Sequence, residues 1–245
     1  MELYILRHGT TEWNIAGLLQ GDCDTPLTSD GRQLALETGQ ALKDIRFDAA
    51  VSSPLSRAYE TAMLVLGDRL VTGDSVIHNS DLTVEDVLSF KDMGCFAFPL
   101  VTDRRIQEIN FGDWEGKKSR GEDREVTQDD LNAFFDMDDR TFRAPGSESL
   151  NEILERSGDF LTECLTRKDW EDKRILISTH GGMLRALLQH VWLDGDYWHG
   201  TVPPNCSISI IKAKDGRIES LDADRIFYTR KVAAFYPLDF SKKGS

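Results

Sequence analysis

Arginine and histidine recur directly after short apolar segments, in a pattern that suits phosphoryl chemistry. Arg7 and His8 follow the apolar residues 3–6, and a glycine comes next. Arg57 and His180 follow similar segments, beside serine, threonine or glycine. A guanidinium group matches the oxygens of a phosphate, and a neutral histidine nitrogen can act as a nucleophile. Each residue alone is weak evidence, but together they predict a compact phosphate pocket around one histidine.

Three buried strands are expected to position these side chains. Residues 3–6, 47–52 and 174–178 are short, apolar and followed by loops that lead into segments with helical spacing. The carboxyl ends of parallel strands meet at one edge of a sheet, where open α/β sheets bind ligands. We therefore expect the arginines and histidines to lie side by side at this edge.

The remaining elements indicate an α/β fold with a largely parallel sheet. Thr28 is predicted to cap a helix, because apolar residues repeat at helical spacing over residues 34–42. Further elements are helices over residues 55–66 and 183–192 and a hairpin of strands at 208–213 and 217–221.

The whole chain, residues 1–245, is predicted to form a single domain with insertions at about 71–100 and 117–148. Residues 71–91 and 119–147 lack strand patterning, and residues 82–90 are amphipathic enough for a helix. Residues 119–148 contain nine acidic residues and four arginines, a net charge of −5, and are interpreted as a solvated helical surface. A metal site is a disfavoured alternative for this segment, since no EF-hand spacing is present. Its candidate ligands are Asp129, Asp130, Asp136, Asp138 and Asp139.

Composition excludes several classes of protein. The net charge of −13 argues against nucleic-acid binding and against docking on anionic lipid. No apolar run is long enough to span a membrane, and the first residues do not resemble a signal peptide. The four cysteines have no zinc-type spacing and are expected to be reduced thiols of a cytoplasmic protein: Cys23, Cys95, Cys164 and Cys206.

Four motifs occur in a fixed order along the chain. They are Leu-Arg-His-Gly-Thr-Thr-Glu-Trp-Asn at 6–14, Ser-Pro-Leu-Ser-Arg-Ala at 53–58 with Thr61-Ala62, Gln107-Glu108 with Phe-Gly-Asp-Trp-Glu-Gly at 111–116, and Thr-His-Gly-Gly at 179–182. This order resembles the signature of the histidine phosphatase superfamily, which includes the phosphoglycerate mutases. The segment Pro-Asn-Cys-Ser at 204–207 is also similar to the family.

The resemblance implies a fold and a set of residue roles. The fold would be a three-layer α/β/α sandwich with a mostly parallel central sheet and a helical cap or insert over the C-terminal strand ends. His8 would be the nucleophile and form a phosphohistidine, and Glu108 would protonate the leaving oxygen and then act as base. The catalytic set would be His8, Glu108, Arg7, Arg57 and His180. The phosphate-binding set would be Arg7, Asn14, Gln20, Gly21, Arg57, His180 and Gly181.

No metal and no cofactor are expected, because the arginines would supply the positive charge that Mg²⁺ supplies in other phosphoryl-transfer enzymes. The expected partner is a small-molecule phosphoester, and a homodimer is left open. The acidic segment at 119–148, if it caps the site, is expected to disfavour polyanions.

Details around Glu108 favour a phosphatase over a mutase. Typical mutases carry Arg-His-Tyr directly after the catalytic glutamate and a lysine eleven residues after it, where this chain has Ile-Asn-Phe and Ser119. The segment 119–148 has no adjacent pair of arginines, although Lys117 and Lys118 lie near. Gly182 is also typical of the phosphatase branch. The predicted function is a phosphomonoester hydrolase, with a 2,3-bisphosphoglycerate-dependent phosphoglycerate mutase as the alternative and a non-catalytic phosphate-binding module as a third.

Overall fold

The fold was analysed in a computed structural model of the chain. It describes residues 1–67, 71–72, 75–76, 100–192, 197–198 and 202–229. The predicted helix at 82–90 and Cys95 lie outside these residues.

A six-stranded sheet forms the centre of the molecule, in the order β5-β2-β6-β1-β7-β8. The strands are β1 (Glu2–Arg7), β2 (Ala49–Ser52), β3 (Val71–Thr72), β4 (Ser75–Val76), β5 (Leu100–Thr102), β6 (Arg174–Thr179), β7 (Ile208–Lys214) and β8 (Arg217–Arg225). Strands β5, β2, β6 and β1 are parallel to one another, whereas β7 and β8 add an antiparallel edge. The sheet is therefore parallel on the side that carries the predicted site.

Helices cover both faces of the sheet. They are α1 (Glu12–Ala16), α2 (Ser29–Ala41), α3 (Ser56–Leu66), α4 (Gln128–Phe134), α5 (Leu150–Thr166) and α6 (Gly181–Gln189). Alternate residues of β1 point to opposite faces: Leu3 and Ile5 pack in one core with α5 and α6, and Tyr4 and Leu6 pack in the other with α2 and α3. The predicted three-layer α/β/α sandwich is confirmed.

Most predicted boundaries agree with the structure to within a few residues, and the differences have local causes. The helix predicted over 183–192 begins at Gly181, because His180 is extended (φ −125°, ψ 173°) and the helix starts directly after it. It ends at Gln189, and the next residue, His190, binds Ser157 and the carbonyl of Leu154 through its ring. Residues 71–91 show no strand pattern in the sequence, yet they include the short antiparallel pair β3–β4, which is separate from the main sheet.

Side-chain caps fix the starts of several helices. The prediction for Thr28 is confirmed, since its hydroxyl accepts a hydrogen bond from the amide of Gly31 at 2.9 Å. Thr127 and Ser149 form capping boxes at the starts of α4 and α5. The segment 119–148 therefore contains one helix, and its apolar residues, Val126, Leu131, Phe134 and Phe135, belong to the main core.

The start of α2 packs directly against the loop after β1, where two glycines face each other. A Cβ at Gly9 would lie 2.6 Å from the carbonyl oxygen of Gly31, and a Cβ at Gly31 would lie 2.8 Å from the amide nitrogen of Thr10. Both contacts involve backbone atoms, which cannot move aside as a flexible side chain can. The absence of side chains here lets α2 support the loop that contains His8.

We expect Gly31→Ala to destabilise the protein by about 1–3 kcal/mol, because the new methyl group forces the loop and helix apart. In an exposed helix without this contact, the same change would stabilise the protein by up to about 1 kcal/mol. A decrease in the free energy of unfolding therefore indicates the contact. Urea denaturation measures the free energy of unfolding. The control Gln33→Ala, on a half-buried position of the same helix, should change it by less than about 0.5 kcal/mol. A stabilised Gly31→Ala variant would contradict this account.

Candidate active site

The ends of three neighbouring strands bring the predicted residues together. Arg7 is the last residue of β1 and His8 follows it, while His180 directly follows β6. The amide of His8 donates to the carbonyl of Thr179 at 2.9 Å, and that of Ser53 donates to Ser178 at 2.9 Å. These bonds continue the pairing of β1, β6 and β2 beyond the strands and fix the three chain segments side by side.

His8 is buried and its ring is oriented by its own backbone. Nδ1 lies 2.7 Å from the carbonyl oxygen of Gly9. A carbonyl only accepts, so we assign the ring proton to Nδ1 and the lone pair to Nε2. Burial lowers the pKa of His8 well below its ordinary value, and the charges of Arg57 and Arg7 lower it further. At neutral pH the ring is therefore neutral, as a nucleophile requires.

His180 lies beside His8, with ring centroids 5.2 Å apart. Its Nε2 is 2.7 Å from the hydroxyl of Ser53, which itself accepts a hydrogen bond from the amide of Leu55 at 3.3 Å. Ser53 can therefore donate its proton to Nε2, which leaves a proton on Nδ1. That Nδ1 is buried and has no hydrogen-bond partner within the described chain. Burial and the nearby charge of Arg57 lower the pKa of His180 well below its ordinary value, so it is a neutral donor.

Two buried arginines supply the positive charge. Arg57 donates to the carbonyl oxygens of Cys23 at 2.8 Å and Gly21 at 2.7 Å, and its Nε is a buried donor with no partner in the described residues. Arg7 donates to the carbonyl of Pro203. Burial lowers the pKa of Arg7 to about 10, which still leaves it charged at neutral pH.

The carboxylate of Glu108 is held at the start of α6. Its Oε1 accepts from the amides of Ile109 and Met183, both at 3.0 Å, and its Oε2 accepts from Gly182 at 3.1 Å. A Cβ at Gly182 would lie 2.5 Å from the Ile109 side chain and 2.8 Å from the carboxylate. Glycine at this position therefore allows the close approach of Glu108 to the helix.

The other predicted binding residues lie around these five, in a hydrogen-bonded network. The side-chain oxygen of Gln20 accepts from Asn14 at 3.1 Å and from the hydroxyl of Thr11 at 2.9 Å. Gly21 contributes its carbonyl to Arg57, and Gly181 begins α6 with its Cα next to the side chain of Arg7. All nine predicted site residues are therefore at this edge of the sheet, although their roles stay predictions.

Sequence reasoning assigned no role to several residues that support the site. The side-chain Nδ2 of Asn205 donates to the carbonyls of His8 at 3.0 Å and Gly9 at 3.2 Å and to Oδ1 of Asn14 at 3.1 Å. The hydroxyl of Thr61 accepts from the amide of Gly9 at 3.0 Å. Both residues lie within the motifs described above, so the sequence contained a signal that could have identified them. Arg156 and Glu148, described below, lie outside them.

The sequence predicts neither a membrane span nor a metal site, and the structure bears on these predictions only for the residues that it describes. None of their helices combines the length and apolar character needed to cross a bilayer. They contain no group of three or more histidine, cysteine or acidic side chains placed to hold a metal ion. The three cysteines among them, Cys23, Cys164 and Cys206, are free thiols.

Comparison with known proteins agrees with this geometry. The model of the histidine phosphatase superfamily (branch 1) matches residues 3–82 and 83–223. The chain therefore belongs to the histidine phosphatase superfamily, as the order of its motifs predicted.

Its relatives carry both of the activities weighed above. A 2,3-bisphosphoglycerate-dependent phosphoglycerate mutase from Chlamydia caviae is 27% identical, over 77% of this chain and 83% of that protein. A glucosyl-3-phosphoglycerate phosphatase from Mycolicibacterium vanbaalenii is 30% identical, over 76% of this chain and 71% of that protein. The structure of a mycobacterial glucosyl-3-phosphoglycerate phosphatase with VO3 is 25% identical, with a TM-score of 0.63 over 90% of this chain and 96% of that one.

The lowered pKa of His8 makes folding dependent on pH. The unfolded chain binds a proton on this ring near pH 6.5, whereas the folded chain does not. The stability that the neutral His8 contributes is therefore fully present above that pH. It is lost progressively as the pH falls from there toward the lower pKa of the folded protein. Between pH 7.5 and 5.5 we expect urea denaturation to show the wild type losing about 1 kcal/mol more than His8→Asn, which cannot titrate. Parallel losses in the two proteins would show that His8 is protonated in the fold.

Proposed function

We propose that this protein hydrolyses phosphomonoesters of a small metabolite through a phosphohistidine on His8. The observation that carries the proposal is the contact of His8 Nδ1 with the carbonyl of Gly9, which directs Nε2 away as the lone-pair nitrogen, in a ring buried beside Arg7, Arg57 and His180. Such a cluster favours a phosphoryl group over a neutral ligand, because its charges and donors match the phosphate oxygens.

The proposed reaction has two transfers. Nε2 of His8 attacks phosphorus while the bond to the ester oxygen breaks, and Glu108 gives that oxygen a proton. Arg7, Arg57 and the Nδ1–H of His180 hold the other phosphoryl oxygens. In the second transfer Glu108 removes a proton from water, which attacks phosphorus and releases phosphate from His8. The guanidinium groups supply the charge stabilisation, and the proposed reaction uses no metal.

The surroundings of Glu108 support hydrolysis over the mutase alternative. Ser119, at the position where typical mutases carry a lysine, is buried and donates its hydroxyl to the carbonyl of Gly17 at 3.2 Å. The neighbouring Lys118 pairs with Asp123 at 2.6 Å, so its charge is already partnered. An asparagine in place of Gly182 would overlap the side chain of Ile109. These features argue against the lysine and the asparagine with which a mutase would contact its substrate.

We expect the protein to release phosphate from 4-nitrophenyl phosphate in the presence of EDTA. His8→Asn should lower kcat by about 10³-fold or more, because asparagine has no basic nitrogen with which to form the covalent intermediate. The acid-labile phosphoenzyme should be trapped after rapid quenching of the wild type and not of the variant. The matched control is His190→Asn, an exposed histidine at the opposite end of α6 from His180, which should keep activity within about threefold.

Two results would contradict the proposal, each in favour of a different function. Efficient isomerisation of 3-phosphoglycerate with negligible hydrolysis would establish the mutase. Phosphate binding by both the wild type and His8→Asn, without turnover of any phosphoester tried, would establish a non-catalytic binding module.

The structure refines the expectation that residues 119–148 disfavour polyanions. Their acidic residues include Asp123, which is paired with Lys118, and Glu148, which is paired with Arg156. Arg120 is half-buried, packs against Gly17 and contributes to the lowered pKa of Arg7 through its charge. We propose that Arg120 places positive charge near the phosphate pocket and offsets part of the acidic charge of the segment.

We expect Arg120→Gln to lower kcat/KM for a sugar bisphosphate about two- to fivefold more than for phenyl phosphate, since a second anionic group loses a nearby cation. The control is Arg124→Gln, an exposed arginine of the same segment, which should leave the ratio unchanged. The difference should shrink in high salt. An unchanged substrate ratio in Arg120→Gln at low salt would show that this charge does not reach the substrate.

A further inference from the structure

The ion pair of Arg156 and Glu148 lies directly behind Glu108. Arg156 is in α5, and Glu148 precedes that helix by two residues. Their side chains are only 20% and 18% exposed. Arg156 Nη2 lies 2.6 Å from one oxygen of Glu148, and Nε lies 2.9 Å from the other. This two-point contact fixes the plane of the guanidinium group.

The guanidinium group also donates to three backbone carbonyls of the chain segment that contains Glu108, and Nη1 lies 3.9 Å from the sulfur of Met183 in α6. Nη1 donates to the carbonyls of Arg105 at 2.9 Å and Gln107 at 2.8 Å, and Nη2 donates to the carbonyl of Glu108 itself at 3.1 Å. One side chain therefore binds three carbonyl oxygens of the segment 105–108, which begins in a single turn of 3-10 helix (Arg104–Ile106) and continues without regular secondary structure. Few backbone hydrogen bonds fix such a segment, so these bonds help to define its path.

Glu148 holds the same segment from the other side of Glu108. Its Oε1 accepts from the amide of Asn110 at 2.8 Å, and its own amide donates to the carbonyl of Asn110 at 3.2 Å. The backbone is thus anchored immediately before and after Glu108. The carboxylate is anchored separately by the amides at the start of α6. The ion pair therefore fixes the backbone around Glu108, and α6 fixes the end of its side chain.

We infer that the Arg156–Glu148 pair positions Glu108 for proton transfer to the leaving oxygen. Neither residue touches the predicted reacting atoms, so both are positioning residues. The inference rests on the proposed function, because it assigns Glu108 the role of proton donor. Proton transfer depends steeply on the distance between donor and acceptor, and a displacement of about 1 Å is enough to reduce it.

Lysine at position 156 separates geometry from charge. It keeps the positive charge, which also acts on His180, but its single ammonium cannot span three carbonyls and a carboxylate in one plane. If charge alone matters, Arg156→Lys behaves as the wild type. If the planar contact matters, Arg156→Lys and Glu148→Gln both impair Glu108.

The experiment uses a series of substituted phenyl phosphates, which have similar shape but leaving groups of different acidity. A phenol that is already acidic needs little protonation, whereas a weakly acidic one depends on Glu108. The measured quantity is kcat/KM, which covers the steps up to departure of the phenol. Glu108→Gln gives the limiting case of a steep dependence on leaving-group acidity.

We expect Arg156→Lys to lower kcat/KM about tenfold or more for the least acidic phenol and less than about threefold for the most acidic, approaching the slope of Glu108→Gln. Glu148→Gln should show the same trend more weakly and supplies the test if Arg156→Lys does not fold. Competitive inhibition by inorganic phosphate should stay within about threefold of the wild type, because the phosphate-binding side chains are intact.

Arg143→Gln is the matched control. Arg143 also pairs with a glutamate of this region, Glu152, at 2.8 Å, but its bonds do not reach residues 105–110. It should leave the slope unchanged. An equal loss across the whole series in Arg156→Lys and Glu148→Gln, or no loss, would overturn the positioning role. If Glu108→Gln itself shows no steeper slope, Glu108 is not the proton donor, and if the wild type does not hydrolyse the series, the proposed function fails as well.

Discussion

The burial of two guanidinium groups beside two histidines is the constraint on which the rest of the site depends. A buried charge is costly unless it is hydrogen-bonded. The two terminal nitrogens of Arg57 donate to the carbonyls of Cys23 and Gly21, and Arg7 donates to the carbonyl of Pro203. Two loops, one containing Gly21 and Cys23 and the other containing Pro203, must therefore bring carbonyl oxygens inward, and many of the polar contacts at this edge of the sheet hold those loops in place.

Glu115 shows how far this requirement extends. Its carboxylate accepts from the amides of Asp22 at 2.9 Å, Cys23 at 2.8 Å and Phe111 at 3.1 Å. It thereby joins the loop that binds Arg57 to the loop that follows Glu108. The positions of the proposed proton donor, Glu108, and of Arg57, a proposed phosphate-binding residue, are thus coupled through one side chain. The Arg156–Glu148 pair contacts the same segment as Glu108.

The sequence predicted the parts of this arrangement that follow from chain direction and local pattern. Parallel strands that end in Arg7-His8 and in His180 must deliver these residues to one edge, and a threonine before a helix, such as Thr28, predicts its own cap. Arg156 could not be found in this way. On an amphipathic helix an arginine looks like a surface residue, and its partners are mainly backbone carbonyls, which leave no pattern in the sequence. The antiparallel pairing of β7 with β1 likewise depends on tertiary contacts rather than on a local signal.

The charges of the site also explain why the total charge of the chain says little about its ligand. The chain carries a net charge of −13, yet charges on the exposed surface are screened over about 8 Å at physiological ionic strength. In the proposed site a phosphate dianion instead meets two buried cations at close range, in surroundings where their field is much less screened. Because both histidines are held neutral, that attraction comes from groups that do not titrate near neutral pH. The proposed mechanism therefore assigns anion binding to the arginines and nucleophilic attack to His8, whose Nε2 keeps its lone pair.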